Sequence, residues 1–487
     1  MIMRDLKQIE TRRAFFQKFA GGMGTVALAQ LMASERLTAG GSSDAAGANP
    51  LAPRKPHFPP TAKSIIFLFM SGGPSQIDLF DPKPALTKWD GQPPPPSLMK
   101  DLKLAFLKPS ATLMGSPRQF KPYGQCGTEF SDYLPYTSAR ADDICLIRSM
   151  RTDAINHDPG ELLMTTGSTI QGRPTMGSWV TYGLGSESQD LPGFVVLSSG
   201  SGLPSAGPNN WASGFMPSVY QGTPFRSSGD PILYLSNPPG IDRPIQRVHL
   251  DALRLLNEKH YRDTGDAEIA SRIASYELAF RMQMAAPELL DFSKEKQAVL
   301  DAYGVNRADE QSKAFSVNCL LARRLVERGV RFVMLTHANW DFHYTINKRL
   351  KGYCEATDQP AAALIEDLKQ RGLLDSTLVI WGGEFGRTPM GEPEIHGGEP
   401  GRDHHASCFS MWLAGGGIRG GQVIGKTDEL GLHPVEDPVH VHDLQATALH
   451  CVGLKYTDLT YRHMGRDFRL TDVGGRVVTR MLRTQTT

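Results

Sequence analysis

The sequence has almost no excess of charge of either sign. Lysine and arginine together number 52 and aspartate and glutamate number 51, which leaves a net charge of +1 over 487 residues. Chains that bind nucleic acid or an anionic membrane surface through their overall field carry a clear positive excess. The composition therefore predicts no nucleic-acid partner, and a charged substrate must be bound by local groups.

Cysteine is scarce as well, with six residues and no Cys-x-x-Cys spacing. This absence excludes the zinc-ribbon and thioredoxin patterns, which need paired cysteines. Cys145, Cys408 and Cys451 lie inside apolar runs, so we expect them to be small buried hydrophobic side chains. An oxidising compartment would still permit one or two disulfides.

The apolar run near the N-terminus is too short and too rich in glycine to be a permanent membrane span. It follows Arg12 and Arg13 in TRRAFFQKFAGGMGTVALAQ, and this stretch resembles a twin-arginine (Tat) export signal. A surface amphipathic helix is the alternative interpretation. The resemblance implies the Tat export machinery as a partner and a periplasmic or secreted bacterial protein. Tat substrates cross the membrane folded, often with a cofactor inserted, so a metal centre would be compatible with this route.

The domain organisation follows from the composition along the chain. Residues 1–38 are predicted to be the signal, and residues 39–60, rich in Pro, Gly, Ser and Ala, are predicted to be a linker. We expect a single domain over residues 61–487. Stretches rich in Pro, Gly, Ser and aromatic residues near 81–140 and 200–245 are expected to be long excursions from that domain.

Short runs that are apolar throughout recur along this predicted domain. They are SIIFLFM (64–70), ICLIRSM (144–150), FVVLSS (194–199), VRFVMLT (330–336), STLVIWGG (376–383) and CFSMWLAGGG (408–417). Amphipathic helical patterns such as QSKAFSVNCLLARRLVERG separate several of them. Buried strands that alternate with helices are typical of an α/β fold with a doubly wound, mostly parallel sheet and helices on both faces.

Polar residues follow these predicted strands where a binding site is expected. Ligands of such sheets bind at the carboxyl ends of the strands, and histidines and carboxylates brought together there suit a zinc, manganese or iron ion. We expect one or two divalent ions, with Zn or Mn preferred. The predicted ligands are His157, Asp341, His343, Glu384 and His404, with Asp78 and His405 as reserve candidates.

Two residues are also candidates for the chemistry itself. His157 is interpreted as a ligand, a general base or a nucleophile, with the first two preferred. Arg387 is a candidate clamp for a phosphate or sulfate group, and a salt bridge to Glu384 or Asp403 is the alternative. His337 is expected to be structural.

Several stretches resemble the alkaline phosphatase and sulfatase superfamily. LVIWGGEFG places Glu384 and Phe385 where the superfamily has a metal-binding Asp-His pair, and His404 or His405 precedes FSMWLAGGGIRGG as its metal-binding histidine does. HDLQATALHCVGL is similar to its Asp-Leu-x-x-Thr helix. NHDPGELLMTTG has the frame of the sulfatase nucleophile segment, with His157 at the nucleophile position. The resemblance implies an alkaline-phosphatase-like fold.

More closely, SGGPSQIDLFDPKP, NHDPGELLMTTG, WDFH, GGEFGRTP and GRDHH together resemble the DUF1501 family of exported bacterial proteins. The departures from the superfamily pattern concern the chemistry. The first strand ends in Ser71-Gly72-Gly73 instead of metal-binding aspartates, Phe385 cannot bind a metal, and the formylglycine motif Cys-x-Pro-Ser-Arg is missing. Asp78 would be the nearest carboxylate to refill a second metal position.

The sequence therefore predicts an exported, metal-dependent hydrolase of phosphate or sulfate esters, acting on an anionic small molecule or glycan. The alternative is a non-catalytic binding protein on the same fold that recognises an anionic glycan or a protein partner. A metal-dependent lyase or transferase acting on a surface polysaccharide is a third interpretation. Fold alone does not distinguish these functions.

Overall fold

The computed structural model describes residues 49–99, 102, 105–106, 111–226, 232, 235–391 and 399–483. The Tat-like segment and the first part of the predicted linker lie outside these residues. The chain forms two compact units, and the larger one comprises Asn49–Asn237 and Ala274–Thr487. Pro238–Ile273 are the described residues of the smaller unit, whereas the sequence predicts a single domain over 61–487.

The strands are short, and most carry apolar residues. In chain order they are β1 (Ser64–Phe69), β2 (Thr112–Leu113), β3 (Phe120–Tyr123), β4 (Thr128–Ser131), β5 (Ile144–Arg151), β6 (Phe194–Gly200), β7 (Thr223–Phe225), β8 (Phe332–Ala338), β9 (Thr377–Gly382), β10 (Gly386–Gly391), β11 (Arg402–His405), β12 (Phe409–Ala414), β13 (Gln422–Ile424), β14 (Lys426–Thr427), β15 (Pro434–Glu436), β16 (Val439–His440), β17 (Tyr461–His463) and β18 (Arg466–Phe468).

The helices range from single turns to long amphipathic segments. They are α1 (Gln76–Leu79), α2 (Pro84–Lys88), α3 (Pro96–Met99), α4 (Pro135–Ser138), α5 (His157–Thr166), α6 (Met176–Leu184), α7 (Arg243–Thr264), α8 (Ala267–Leu290), α9 (Gln297–Tyr303), α10 (Glu310–Glu327), α11 (Ile346–Gln370) and α12 (Val441–Cys451). Helix α7 lies in the smaller unit, and Asp242 caps it by accepting a hydrogen bond from the Ile245 amide at 2.9 Å.

A nine-stranded sheet dominates the described part of the larger unit. Its order is β13-β5-β12-β9-β1-β8-β6-β7, with β16 beside β5. The pairs β9-β1, β1-β8, β8-β6 and β6-β7 are parallel, and β12 runs antiparallel to both β5 and β9. The prediction of an α/β fold with a mostly parallel sheet is confirmed.

The central strands are buried along their whole length, which explains their unbroken apolar sequences. In β1 the neighbouring residues Ile65 and Ile66 point to opposite faces of the sheet, and both are fully buried. Strands β8, β9 and β12 show the same uniform burial. Both faces of the sheet are therefore covered, as expected for parallel strands joined by helical crossovers.

Residues 49–60, which precede the predicted domain start at Thr61, form backbone hydrogen bonds with the larger unit. The Arg54 amide donates to the Leu184 carbonyl at 2.8 Å, and the His57 amide donates to the Gly453 carbonyl at 2.9 Å. Residues 49–60 of the predicted linker are thus part of the larger unit. The predicted excursion at 81–140 contains β2 to β4, whose pairings lie outside the central sheet.

The sequence predicts buried cysteines and permits one or two disulfides. All six cysteines are free, and five of them are buried, with Cys126 intermediate. The apolar packing expected for them therefore describes this structure better than disulfides do.

Within the described residues, none of the helices combines the length and the apolarity that a membrane crossing requires.

The core of the parallel sheet can be tested with a matched pair of valines. Val333, in the middle of β8, is fully buried, whereas Val473 is 87% exposed. We expect Val333→Ala to lower the free energy of unfolding by about 2 kcal/mol, because two buried methyl groups are lost and a cavity remains. Val473→Ala should change it by less than about 0.5 kcal/mol. Urea unfolding curves of both variants test this, and equal effects would contradict the assigned core.

Candidate metal centre

Strand ends bring most of the predicted site residues together. Asp341 and His343 follow β8, Glu384 follows β9, and Arg387 and His404 are register partners on β10 and β11. His157 is the first residue of α5, directly after the cap residue Asn156, and the helix ends at Gly167 in the left-handed conformation. These residues come from distant parts of the sequence and form one cluster.

A single carboxylate oxygen lies at the middle of this cluster. Asp341 Oδ1 is 2.9 Å from His343 Nε2 and 3.3 Å from the Nε2 atoms of both His157 and His404. It is also 2.5 Å from Arg387 Nη2. The Nε2 atoms of His343 and His404 are 3.0 Å apart. Three imidazoles thus present the same ring nitrogen to one point.

The other ring nitrogens of two histidines are held by oxygen acceptors. His404 Nδ1 lies 2.8 Å from the Ile155 carbonyl oxygen, and His157 Nδ1 lies 2.6 Å from Glu384 Oε1. A carbonyl oxygen can only accept, so Nδ1 of His404 carries the proton and, in the neutral ring, Nε2 keeps its lone pair. The Glu384 carboxylate has the same effect on His157. Carboxylate and carbonyl partners of this kind are typical of metal-binding histidines.

The charges at the cluster shift the pKa values of its members. Burial opposes the charged form of His157, but the carboxylates of Asp341 and Glu384 outweigh burial and raise its pKa to about 9. Burial, with smaller effects from the neighbouring Arg387 and His157 charges, lowers the pKa of His404. Burial alone would raise the pKa of Asp341, but the three histidines and Arg387 hold it well below its usual range.

Arg387 is fully buried and bound to protein acceptors. Its Nε donates to the Gly73 carbonyl at 3.0 Å, its Nη1 to the Arg402 carbonyl at 3.1 Å, and its Nη2 to the Gly72 carbonyl. Its ion pair is with Asp341 and not with Glu384 or Asp403, the partners that the sequence pattern indicates. The guanidinium therefore fixes the β1 exit and Asp341 as well as placing a positive charge at the cluster.

Glu384 lies behind the histidines. Both of its oxygens contact the Gly72 amide, at 3.0 and 3.1 Å, and Oε1 also contacts His157. Gly72 has φ of +115°, and a Cβ atom there would lie 2.4 Å from the Trp340 amide nitrogen. Glycine is required at this strand exit because the backbones of two strand ends approach each other closely.

The structure places Asp78 and His405, the two reserve ligands, outside the cluster. Asp78 is buried and accepts hydrogen bonds from Arg402 Nε at 2.9 Å and Ser75 Oγ at 2.6 Å, and the ion pair lowers its pKa despite burial. His405 Nε2 lies 3.2 Å from the Gly431 carbonyl, and burial lowers the pKa of His405 to about 4. His404 and His405 are neighbours on a strand and point to opposite sides.

Two aromatic residues that are not among the predicted ligands also contact the histidines. Phe385 packs on His157 and His404, with ring centroids 5.0 and 4.6 Å apart. Phe106 donates its amide to Asp403 Oδ2 at 2.8 Å, and its ring edge contacts His343 and His404. Phe106 lies far from the predicted strands, so only the tertiary structure brings it here.

Glu161 lies one turn after His157 on α5 and binds residues next to the cluster. Its carboxylate accepts hydrogen bonds from Ser71 Oγ at 2.5 Å, Asn210 Nδ2 at 2.8 Å and the Ala206 amide at 2.8 Å. Burial and the Glu384 charge raise its pKa to about 6. The i, i+4 spacing of His157 and Glu161 on one helix face is the sequence signal that could have identified it.

The donor atoms form two overlapping groups that fit a metal ion. His157, Asp341 and His404 make one group, and His343, Asp403 and His404 make the other, with the ligand atoms of each group within 4.8 Å of one another. His157 Nε2 is buried and makes no hydrogen bond in the described residues. The separations of 2.9 to 3.3 Å around Asp341 resemble the roughly 3.3 Å spacing that ligands at 2.0–2.1 Å from a tetrahedral ion adopt.

The protein is thus an α/β protein with a histidine and carboxylate cluster at the carboxyl ends of its sheet. A family model described as "Protein of unknown function (DUF1501)" matches residues 62–482, so the chain belongs to the DUF1501 family. The family assignment made from the sequence is confirmed. None of the curated proteins matches the chain.

Solved structures similar to this chain include members of the alkaline phosphatase superfamily. Ps i-CgsB in complex with k-i-k-neocarrahexaose is 12% identical to this chain, with a TM-score of 0.37. The match covers 82% of this chain and 73% of the Ps i-CgsB chain. The PsFucS1 sulfatase from Pseudoalteromonas sp. is 11% identical, with coverages of 82% and 68% and a TM-score of 0.35. A protein in the alkaline phosphatase superfamily from Vibrio parahaemolyticus is 11% identical, with coverages of 84% and 71% and a TM-score of 0.34. Likenesses at this level establish nothing about activity.

The raised pKa of His157 predicts how the metal-free protein responds to pH. The folded-state pKa is about 9, against roughly 6.5 for histidine in an unfolded chain. The resulting stabilisation is fully present below about pH 6.5 and is lost as pH rises through about 9. We expect the unfolding free energy of chelator-treated protein to fall across this window, and to fall less in His157→Gln. Urea unfolding at a series of pH values tests this, and equal slopes in the two proteins would contradict it.

Proposed function

We propose that this protein is a metal-dependent hydrolase of phosphate or sulfate esters. The observation that carries the proposal is the convergence of three imidazole Nε2 atoms and Asp341 Oδ1. Two of these imidazoles have their Nδ1 atoms held by acceptors, which leaves Nε2 free to bind. The anionic small molecule or glycan expected as substrate would lie at the carboxyl ends of the strands.

The proposed ligands are His157, Asp341, His343 and His404. Imidazole nitrogen and carboxylate oxygen suit Zn or Mn. Asp403 lies next to His343 and His404 in the second donor group, so it is the candidate that would extend the centre to two ions. Asp78 is not included, because Arg402 and Ser75 hold its carboxylate.

Glu384 and Arg387 have supporting roles in this proposal. Glu384 contacts the Nδ1 side of His157, so it orients the ring and keeps the Nε2 lone pair directed at the cluster. The charge of Arg387, 2.5 Å from Asp341 Oδ1, favours an anionic group at the centre. A divalent ion bound here would polarise an ester oxygen and lower the pKa of a coordinated water. His157 then serves as ligand, with general base as the alternative.

One set of observations favours a second function, a non-catalytic binding protein for an anionic glycan or a protein partner. The β1 exit contributes backbone groups and Ser71, whose hydroxyl is taken up by Glu161, and it supplies no carboxylate to the cluster. Phe385 packs on two of the histidines and offers no ligand atom. A chain that kept this fold for binding alone would tolerate both features.

The metal centre is tested by the metal content of protein purified without chelator, measured by plasma mass spectrometry. We expect near-stoichiometric metal in the wild type and loss of nearly all of it in His404→Ala. Glu384→Gln should lower metal affinity roughly 10- to 100-fold, because a neutral amide replaces the carboxylate that accepts from His157 Nδ1 and makes the ring a better ligand. His260→Ala, an exposed histidine of α7, is the matched control and should keep its metal.

The same preparations decide between the two functions. Metal retained in His157→Ala but lost in His404→Ala would free His157 to act as the general base. Metal-loaded wild type should hydrolyse aryl phosphate or aryl sulfate esters, and His404→Ala should not. A folded, metal-free wild type would overturn the hydrolase proposal and direct the search to glycan and protein partners.

We also propose that the protein is exported through the Tat route to the periplasm or beyond. The support is the pair Arg12-Arg13 followed by FF and a short apolar run, which lies outside the described residues. Changing both arginines to lysine should leave the protein in the cytoplasm of a Tat-competent bacterium, because that pathway reads the arginine pair as its address. Cell fractionation followed by immunoblotting tests this. Unchanged export of the double-lysine variant would contradict the proposed route.

A further inference from the structure

A pocket of about 530 Å³ is lined by His337 and Thr345, which lie before and after the segment that carries Asp341 and His343. Its walls are the end of β6 at Gly200, His337 of β8, the start of α10 and the first turns of α11. This volume lies within the 300–1,000 Å³ typical of small-molecule sites. None of the residues in the proposed ligand set lines it.

His337 provides a buried donor to this pocket. Only 3% of the residue is exposed, and its Nδ1 accepts a hydrogen bond from Trp340 Nε1 at 3.1 Å. Burial lowers its pKa to about 4, so the ring is neutral near pH 7 and Nε2 carries the proton. In the described residues, no protein group accepts from Nε2, and His337 lines the pocket. The Nε2–H is therefore available to donate to a ligand in the pocket.

The backbone next to His337 is shaped to leave this space open. Gly200 has φ of +86°, and a Cβ atom there would lie 3.0 Å from backbone atoms of Ala338 and 3.5 Å from His337 Cε1. A side chain at this position would be strained and would crowd the imidazole. Glycine therefore keeps the floor of the pocket accessible.

The charges around the pocket favour an anion. Lys348 and Arg349 of α11 line it, and the ammonium of Lys348 has no partner among the described residues. Asp309 is the one acid among the described residues that line the pocket. Its carboxylate caps α10 by accepting the Ser312 amide at 2.8 Å, where the positive end of the helix dipole offsets its charge.

We propose that this pocket binds a small organic anion, a sugar acid or sugar phosphate in size, through the His337 Nε2–H and the Lys348 ammonium. Arg349 connects the pocket to the metal centre, because its Nη1 donates to the Asp341 carbonyl at 3.1 Å and its guanidinium lies over the Phe342 ring. A ligand that contacts Arg349 would thus act on the residue at the middle of the cluster. The site does not depend on the proposed hydrolase activity.

Isothermal titration calorimetry with glucuronate, with neutral glucose as the reference, tests the proposal. Lys348 is exposed, so Lys348→Gln should fold normally, and we expect it to raise the Kd for glucuronate roughly 3- to 10-fold. Lys351→Gln is the matched control on the same helix, because Lys351 is exposed, does not line the pocket and lies 3.6 Å from Glu355. It should leave the Kd unchanged.

A second background separates this pocket from anion binding at the metal centre. Glucuronate and glucose 6-phosphate should both bind to His404→Ala, since the pocket does not use His404, and a preference for one of them identifies carboxylate or phosphate as the preferred group. Glucuronate binding that disappears in His404→Ala but persists in Lys348→Gln would overturn the proposal. Absence of binding to wild type, or equal binding of glucose, would also overturn it.

Discussion

The parallel pairing of β1 with β8 and β9 is the constraint on which the site depends. Phe69 lies opposite Thr336 on one side and Gly382 on the other, so β1 and β9 end level at one edge of the sheet and β8 ends two residues further on, at Ala338. Their exits then run side by side, and the Trp340 amide donates to the Ser71 carbonyl at 2.9 Å. Gly72 permits this approach because it has no side chain. Asp341 and Glu384 are consequently brought to opposite sides of the same strand exit.

The electrostatics of the cluster follow from this placement. One carboxylate oxygen of Asp341 faces Arg387 and three imidazoles, and it keeps its negative charge because burial is outweighed by these neighbours. The imidazoles in turn face one another with ring nitrogens 3.0 Å apart in the case of His343 and His404. With its pKa raised to about 9, His157 is protonated near pH 7 in the metal-free protein, and this positive charge lies beside Asp341. A divalent ion would replace that proton and accept lone pairs from the histidine nitrogens and the Asp341 carboxylate together.

Two buried carboxylates next to the cluster are fixed by hydrogen bonds from the end of β1. Ser71 and Gly72, at the place where the sequence resemblance implies metal-binding aspartates, bind the carboxylates of Glu161 and Glu384. Among the described residues, the strand exit therefore holds Glu384, which contacts His157, and adds no ligand atom to the two candidate groups. Phe385 packs beside His157 and His404. The candidate ligand atoms form two groups that share His404, and Asp403 belongs to the second.

The sequence by itself determined the strands, their mostly parallel arrangement and the strand ends at which polar residues gather, because unbroken apolar runs require burial on both faces of a sheet. It also identified His157, Asp341, His343, Glu384 and His404 as neighbours. Only the tertiary structure separated His404 from His405, since side chains alternate across a strand and the pairing of Arg387 with His404 decides which one faces the cluster. It likewise assigned Asp78 to Arg402, and it brought Phe106 and Glu161 to the site through contacts between segments that are distant in the chain.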